Sequence, residues 1–184
     1  METSNSYCNF AYNQKEDNIH KLYHDTQYGF PIYSDNELFG RLILEINQAG
    51  LSWDIILKKQ ENFRTAYSNF DIKSVANYNQ TDINRLLNNT GIIRNKLKIN
   101  AAIHNASVIM KIKQKMGSFQ LWLDHHHPKT KDQWVKLFKK TFKFTGGEIT
   151  GEFLMSTGYL EGAHHKNCPI FSKVLKNNPM WYSN

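Results

Sequence analysis

Residues 38–64 read LFGRLILEINQAGLSWDIILKKQENFR, and their apolar side chains recur at helical spacing. A helix over this stretch places Leu38, Leu42 and Ala49 on one face. Glu45 falls on the same face, where a carboxylate costs several kcal/mol unless something compensates it. The stretch therefore predicts a buried helix with one carboxylate that requires an explanation.

Two interpretations of Glu45 follow from its position. In the first, Glu45 lies at the edge of the core, extended to water or paired with Arg41 one turn earlier. In the second, it faces a pocket whose ligand supplies a hydrogen-bond donor or a positive charge. Tyr23 and Trp53 would add flat aromatic walls, which suit a planar cationic ligand.

The rest of the chain is also helical in pattern, with almost no period-two alternation. Ser34 is expected to begin the first clear helix and Gly50 to end it. Further helices are predicted for 53–67, around Val75 with Asp71 or Ser74 as its first cap, from Thr81 to about Asn89, and for 96–115, 119–123, 134–140 and 149–156. Because the chain has no repeat and no linker rich in Gly, Pro or Ser, we expect a single all-α domain over residues 1–184.

Composition limits the classes of partner and location. The 184 residues include 23 Lys and Arg against 16 Asp and Glu, a net charge of +7, which favours a polyanionic partner such as nucleic acid. The polar start METSNSYCNF does not resemble a signal peptide, and no apolar run is long enough to span a membrane. We therefore expect a cytoplasmic protein without a membrane partner, in which the two cysteines form no disulfide.

Residue types that bind metals occur near both ends of the chain. GAHHKNCP places His164 and Cys168 four residues apart, so both side chains face the same way on a helical turn. Cys8 and His24 would complete a Cys2His2 set, which structural zinc prefers. The metal would hold the N-terminal segment (about 1–30) to the C-terminal segment (about 160–184).

Other interpretations of these residues remain open at this point. Ordinary burial also explains the cysteines, and from the residues alone it is the favoured interpretation, while His165 competes with His164 as a ligand. The triplet His125–His127 lies beside Pro128 in a polar stretch that is predicted to be a solvated loop.

A third motif is NNTGIIRNKLKINAA, residues 88–102. A helix, a short turn with Gly91 and a helix that opens with Arg94, Lys96 and Lys98 form a helix–hairpin–helix pattern, predicted over about 82–115. Turn amides and a helix N-terminus suit a phosphate, and the cations add charge. The alternative is an ordinary helix–turn–helix corner with a solvated basic rim.

Together these motifs resemble the 3-methyladenine DNA glycosylase I family, whose members have helix–hairpin–helix architecture with two helical lobes. The resemblance extends from Cys8 to Cys168. The segments that carry it are YHDTQYG, LFGRLILEINQAGLSWDIILKKQENFR, GIIRNKLKI, FKFTG and GAHHKNCP.

The resemblance implies a structural zinc on four residues, with His164 selected over His165. The four ligands are Cys8, His24, His164 and Cys168.

For the base site, the resemblance implies that Glu45 accepts hydrogen bonds from a flipped-out methylated adenine, with Tyr23 and Trp53 stacking on it. Phe10 and Tyr28 stand where the family usually has tryptophans.

The implied activity is hydrolysis of the N-glycosidic bond of 3-methyladenine by a monomer acting on double-stranded DNA that contains alkylated bases. Other helix–hairpin–helix glycosylases use an aspartate about eighteen residues beyond the hairpin. Counting on from Lys96 reaches Gln114 with no acid nearby, as expected for this family. The resemblance also argues against lyase chemistry at Lys96.

The sequence departs from the family after FKFTG. Where small hydroxyl residues usually line the base pocket, this chain has Glu148 and Glu152. The segment between Trp122 and Phe142 is also shorter than usual. Two alternatives follow: excision of a different base on the same scaffold, or a DNA-binding homologue with weak catalysis.

Overall fold

The computed structural model describes residues 6–182. Within these residues the chain forms twelve α-helices, two short 3-10 turns and no strand, which confirms the predicted all-α class. The helices are α1 (Tyr7–Tyr12), α2 (Ile19–Thr26), α3 (Asp35–Gln48), α4 (Trp53–Lys58), α5 (Gln60–Ala66), α6 (Ile72–Ala76), α7 (Gln80–Asn88), α8 (Lys96–Met116), α9 (Phe119–His126), α10 (Lys131–Thr141), α11 (Gly147–Ser156) and α12 (Phe171–Lys176). None of these helices is long and apolar enough to cross a membrane.

The chain divides into two compact units, one discontinuous and one continuous. The first unit combines Met1–Pro31 with Leu154–Asn184, and the second is Ile32–Phe153. The first unit thus contains the two terminal segments for which the sequence predicts a common metal site. The single domain over residues 1–184 stays a prediction.

In the first unit, a backbone hydrogen bond joins the two parts of the chain: the Gly29 amide donates to the Ser156 carbonyl at 3.0 Å. Within the second part, the Trp181 amide donates to the Gly158 carbonyl at 3.3 Å. A small buried cluster packs nearby; its members are Cys8, Cys168, Ile170 and Val174. Further buried apolar residues of this unit are Ala11, Tyr23, Leu154, Tyr159 and Ala163.

The second unit has a conventional apolar core around α3. The largest side chains that are fully buried there are Trp134, Tyr67, Phe39, Phe63, Phe70, Phe119, Phe138 and Phe153. Gly40 of α3 lies against the Phe70 ring, and a methyl group at Gly40 would overlap that ring. Close packing of large rings therefore holds α3, the helix that carries Glu45.

Helix ends agree with the sequence where a local signal exists. Gly50 has φ +81°, as expected for a residue that ends α3, and the Asp71 side chain accepts the Ser74 amide at the start of α6. Two predictions were wrong. Asn79, not Thr81, caps α7, and the helix predicted for 53–67 is broken at Lys59 into α4 and α5.

Candidate functional site

The first unit brings four buried metal-ligand side chains together. They come from α1 (Cys8), α2 (His24) and the segment before α12 (His164 and Cys168). Their ligand atoms all lie within 4.8 Å of one another. Within residues 6–182, this is the one group of three or more His, Cys, Asp or Glu residues with such geometry.

The distances within this cluster fit a tetrahedral zinc ion. His164 Nδ1 lies 3.2 Å from His24 Nε2, 3.7 Å from Cys8 Sγ and 3.6 Å from Cys168 Sγ. Cys168 Sγ also lies 3.6 Å from His24 Nε2. A tetrahedral site with typical Zn–S and Zn–N bonds has N···N edges of about 3.3 Å and S···N edges of about 3.5–3.6 Å. These four distances therefore fit the ion.

The outer nitrogens of both histidines are fixed by hydrogen bonds. His24 Nδ1 lies 2.6 Å from an oxygen of Asp25, and His164 Nε2 lies 2.7 Å from the Tyr28 carbonyl. Such partners orient the ring and leave the other nitrogen facing the metal. The sequence reasoning missed Asp25, although its position directly after His24 was a usable signal.

Burial also shifts the pKa values of the side chains in this cluster. It lowers the pKa of His164 to about 4, so the ring is neutral near pH 7 with a lone pair available. Burial, with Cys168 close by, raises the pKa of the Cys8 thiol to about 11. A bound cation would reverse that effect by stabilising the thiolate. A cavity of about 520 Å³ borders the cluster at Cys8, His24 and Cys168.

The other histidines lie outside this cluster. His125 and His126 belong to the last turn of α9, and His126 Nδ1 lies 2.7 Å from the Trp122 carbonyl. The expected loop is therefore shorter than predicted, because α9 extends to His126. His165 lines the neighbouring cavity but is not part of the four-residue cluster.

Glu45 lies in the middle of α3 in the second unit. Its side chain is 4% exposed, and Leu38 and Leu42 on the same face are fully buried. This burial excludes the interpretation in which Glu45 simply extends into water. The structure therefore places a carboxylate within an apolar helix face, as the pattern predicts.

The aromatic residues predicted to contact a base fall into two sets. Tyr23, Phe10 and Tyr28 belong to the first unit, where Tyr23 and Tyr28 have ring centroids 5.6 Å apart. Tyr23 is buried and Phe10 is 48% exposed. Trp53 is the first residue of α4 in the second unit and is half-buried. Their base-binding roles stay predictions.

The predicted hairpin consists of α7, the turn 89–95 and α8. Asn89 Oδ1 accepts the Gly91 amide at 2.8 Å and so holds the turn. Asn95 caps α8 by accepting the Leu97 and Lys98 amides. Those two amides are therefore occupied within the protein, while Arg94 and Lys96 have exposed side chains.

Lys98 differs from the expectation for this motif. Its side chain is 5% exposed, and Nζ donates to the Asn47 carbonyl at 2.9 Å and to the Ala49 carbonyl at 2.7 Å. The ammonium thus binds the C-terminal end of α3 instead of pointing into solvent. The neighbouring Leu97 is 69% exposed.

The two carboxylates that depart from the family pattern have different surroundings. The Glu148 side chain is 89% exposed and pairs with Lys131 at 3.4 Å, so it does not line a buried pocket. Glu152 is half-buried on α11. Glu148 gives no structural reason to expect a different base.

These features define a class of protein. Its members are all-helical and combine a Cys2His2 cluster with a buried carboxylate in a helix. A sequence profile of the family described as "Methyladenine glycosylase" matches residues 13–135. The chain belongs to this methyladenine glycosylase family.

Two curated relatives extend the match over most of the chain. DNA-3-methyladenine glycosylase of Haemophilus influenzae is 32% identical over 173 residues, covering 84% of this chain and 93% of the relative. DNA-3-methyladenine glycosylase 1 of Escherichia coli is 34% identical over 162 residues, covering 78% and 87%.

Solved structures show the same fold. The 3-methyladenine DNA glycosylase I from Staphylococcus aureus has a TM-score of 0.76 and 34% identity, covering 85% of this chain and 93% of that one. A tyrosine-to-phenylalanine variant of 3-methyladenine DNA glycosylase I, solved in complex with 3-methyladenine, has a TM-score of 0.76 and 32% identity, covering 85% and 94%.

Proposed function

We propose that this protein is a monofunctional DNA glycosylase that hydrolyses the N-glycosidic bond of 3-methyladenine in alkylated DNA. The observation that carries this proposal is the family match over residues 13–135, which includes Tyr23, Glu45 and Trp53. The named relatives and the solved complex with 3-methyladenine support the same base.

The reaction requires little from the protein beyond recognition of charge. Methylation at N3 gives the adenine a positive charge, so it departs readily as a neutral base when the bond to the anomeric carbon breaks. Water adds to that carbon and loses a proton to solvent. Positive charge develops on the sugar in the transition state, and a negative group stabilises it.

Glu45 is the residue that we assign to recognition of the methylated base. Its carboxylate can accept hydrogen bonds from the base edge and attract the cationic ring, and an environment with little water strengthens both interactions. The stacking roles of Tyr23 and Trp53, and the aromatic surroundings formed by Phe10 and Tyr28, rest on the family resemblance.

We assign a structural zinc ion to Cys8, His24, His164 and Cys168. The tetrahedral edges and the hydrogen bonds on both outer histidine nitrogens support this assignment. The ion would supply cross-linking of the two ends of the chain and takes no part in bond cleavage.

For DNA contact we propose helix–hairpin–helix binding of the duplex backbone by the Gly91 turn, Arg94 and Lys96. The net charge of +7 supports a polyanionic partner. Lys98 is left out of this set because its ammonium already binds two carbonyls. Action as a monomer and a cytoplasmic location remain predictions.

The test is chromatography of free bases released from duplex DNA that has been treated with a methylating agent. We expect 3-methyladenine in the supernatant and an abasic site in the DNA, with no strand cleavage by the enzyme. Release of another base would replace the proposed substrate. No release, with DNA binding retained, would leave a DNA-binding homologue.

A further inference from the structure

Lys98 is a buried cation that the proposed chemistry does not use. It occupies the third position of α8, where the helix dipole disfavours positive charge, and burial lowers the pKa of its ammonium. Such a position is costly unless specific partners stabilise the charge.

The partners of Lys98 lie at the C-terminal end of α3. Helix C-termini leave carbonyls without intrahelical donors and carry partial negative charge. Lys98 Nζ satisfies two of these carbonyls, those of Asn47 and Ala49, at 2.9 and 2.7 Å. The Lys98 side chain therefore supplies hydrogen-bond donors to carbonyls at the C-terminal end of α3.

An aromatic ring adds to this arrangement. Lys98 Nζ lies 5.9 Å from the centroid of the Phe144 ring, within range of a cation–π interaction. Phe144 has φ +61°, a strained value for a bulky residue. Buried Asn105 holds the preceding residue, Lys143, by accepting from its amide and donating to its carbonyl. The strained backbone at Phe144 is therefore held in place by Asn105, a residue of α8.

The opposite end of α3 is also tied to α8. Lys113 Nζ lies 2.8 Å from a carboxylate oxygen of Asp35, the first residue of α3. One helix therefore holds α3 at both ends, through Lys98 at the C-terminal end and Lys113 at the N-terminal end.

The two ends have different neighbours. Glu45 lies one helical turn before Ala49, and the Gly50 turn that follows leads directly to Trp53. Arg94 in the turn and Lys96 at the start of α8 lie four and two residues before Lys98. Lys98 therefore connects the proposed backbone-contact segment to the helix end beside the proposed base-recognition residues. Lys113, at the other end of α3, pairs with Asp35, which has no proposed role in base recognition or DNA contact.

We propose that Lys98 is a positioning residue for base excision, which holds the C-terminal end of α3 so that Glu45 and the 49–53 turn are placed correctly relative to the DNA-contacting hairpin. This inference rests on the proposed function. It assigns Lys98 no contact with DNA.

The test compares Lys98→Met with Lys113→Met, which removes the tie at the other end of the same helix pair. For each protein, urea unfolding, affinity for undamaged duplex and the single-turnover rate of 3-methyladenine release are measured where circular dichroism shows a folded chain. We expect both variants to be less stable than wild type.

The rates are expected to separate the two variants. Lys98→Met should lower the single-turnover rate about tenfold or more, because small displacements of reacting groups are costly. Its affinity for undamaged duplex, which depends on exposed cations, should change by less than about threefold. Lys113→Met should stay within about twofold of the wild-type rate. Equal rates in the two variants would overturn the positioning role.

Two outcomes need separate treatment. If wild type releases no 3-methyladenine, the proposed function fails, irrespective of Lys98. If Lys98→Met does not fold, Lys98→Gln replaces it, because a neutral amide keeps hydrogen-bond donors but lacks the charge and the full length of lysine. A reduced rate in folded Lys98→Gln supports the proposal, and a wild-type rate contradicts it.

Discussion

The two units of this molecule are ordered by different interactions. The first unit has a small apolar cluster and four converging metal-ligand side chains from both ends of the chain. The second has a large aromatic core and ionic ties between helices. With the proposed zinc ion bound, metal coordination would hold together two segments that are far apart in the chain.

The largest expected effect is loss of the metal from the first unit. Cys168→Ser should remove about one zinc ion per chain and cost more than about 3 kcal/mol of unfolding free energy, because metal binding and folding are coupled. Elemental analysis and thermal unfolding measure both quantities. Hydrogen exchange should increase in 6–31 and 154–182 far more than in 32–153.

The matched control is His165→Asn, which changes the histidine next to a ligand. It should retain the zinc ion, whereas His164→Asn should lose it. A wild-type protein that is stable without metal, or zinc loss in His165→Asn, would contradict the four-ligand assignment.

The second-largest expected effect is on the rate of base release and comes from Glu45 in the second unit. Glu45→Gln should lower the single-turnover rate of base release about 100-fold or more, because a neutral amide no longer stabilises the cationic base and sugar. Zinc content and affinity for undamaged duplex should remain at wild-type values. Chromatography of the released base measures the rate.

Glu37→Gln is the control on the same helix, since Glu37 is partly exposed and pairs with Arg64. It should retain wild-type activity. Full activity in Glu45→Gln would remove Glu45 from the mechanism.

A smaller effect on the metal centre is expected from Asp25, whose carboxylate lies 2.6 Å from His24 Nδ1. Asp25→Asn should weaken zinc affinity about 10- to 100-fold, as is typical of partners that orient a ligand. Competition with a fluorescent chelator measures this affinity. An unchanged value would mean that the first unit orients His24 by packing alone.

The smallest effect concerns an ionic tie of the second unit. Both carboxylate oxygens of Glu37 accept from Arg64, at 2.8 and 2.7 Å, and this pairing lowers the pKa of Glu37. A lowered folded-state pKa gives stability above the unfolded-state pKa that is lost as pH falls through the folded value.

The free energy of unfolding of wild type should therefore exceed that of Glu37→Gln by about 0.5–1 kcal/mol at pH 7. The difference is small because the side chains of Glu37 and Arg64 are partly exposed. The difference should vanish well below pH 4, the ordinary range of a glutamate. Urea unfolding at several pH values measures it, and a difference independent of pH would show that charge is not its origin.

The sequence predicted the features that depend on local chemistry. Gly50 and Asp71 mark helix ends through backbone freedom and side-chain capping, and both are confirmed. The break at Lys59 has no Gly or Pro to indicate it. The cluster of four metal ligands was expected from residue types and family resemblance, but its distances depend on tertiary contacts between residues about 140 positions apart in the chain.

The burial of Lys98 was predictable from a better choice of helix face. Ala102, Asn105, Ile109 and Ile112 are buried at alternating spacings of three and four residues. Extending this series by four residues towards the N-terminus reaches Lys98, while Leu97 falls outside it. Residue type alone suggests that Lys98 is exposed and Leu97 is buried, because lysine is rarely buried without a partner. The carbonyls that stabilise it lie about fifty residues away in the sequence.

The discontinuity of the first unit has a consequence for biosynthesis. Segment 32–153 is continuous and is synthesised before His164 and Cys168. Because segments fold in the order of their synthesis where they can, the second unit can become ordered while Cys8 and His24 still lack half of their cluster. We expect metal capture to be the last step of maturation, and a nascent chain halted before His164 to expose an incomplete pair of ligands to the cell.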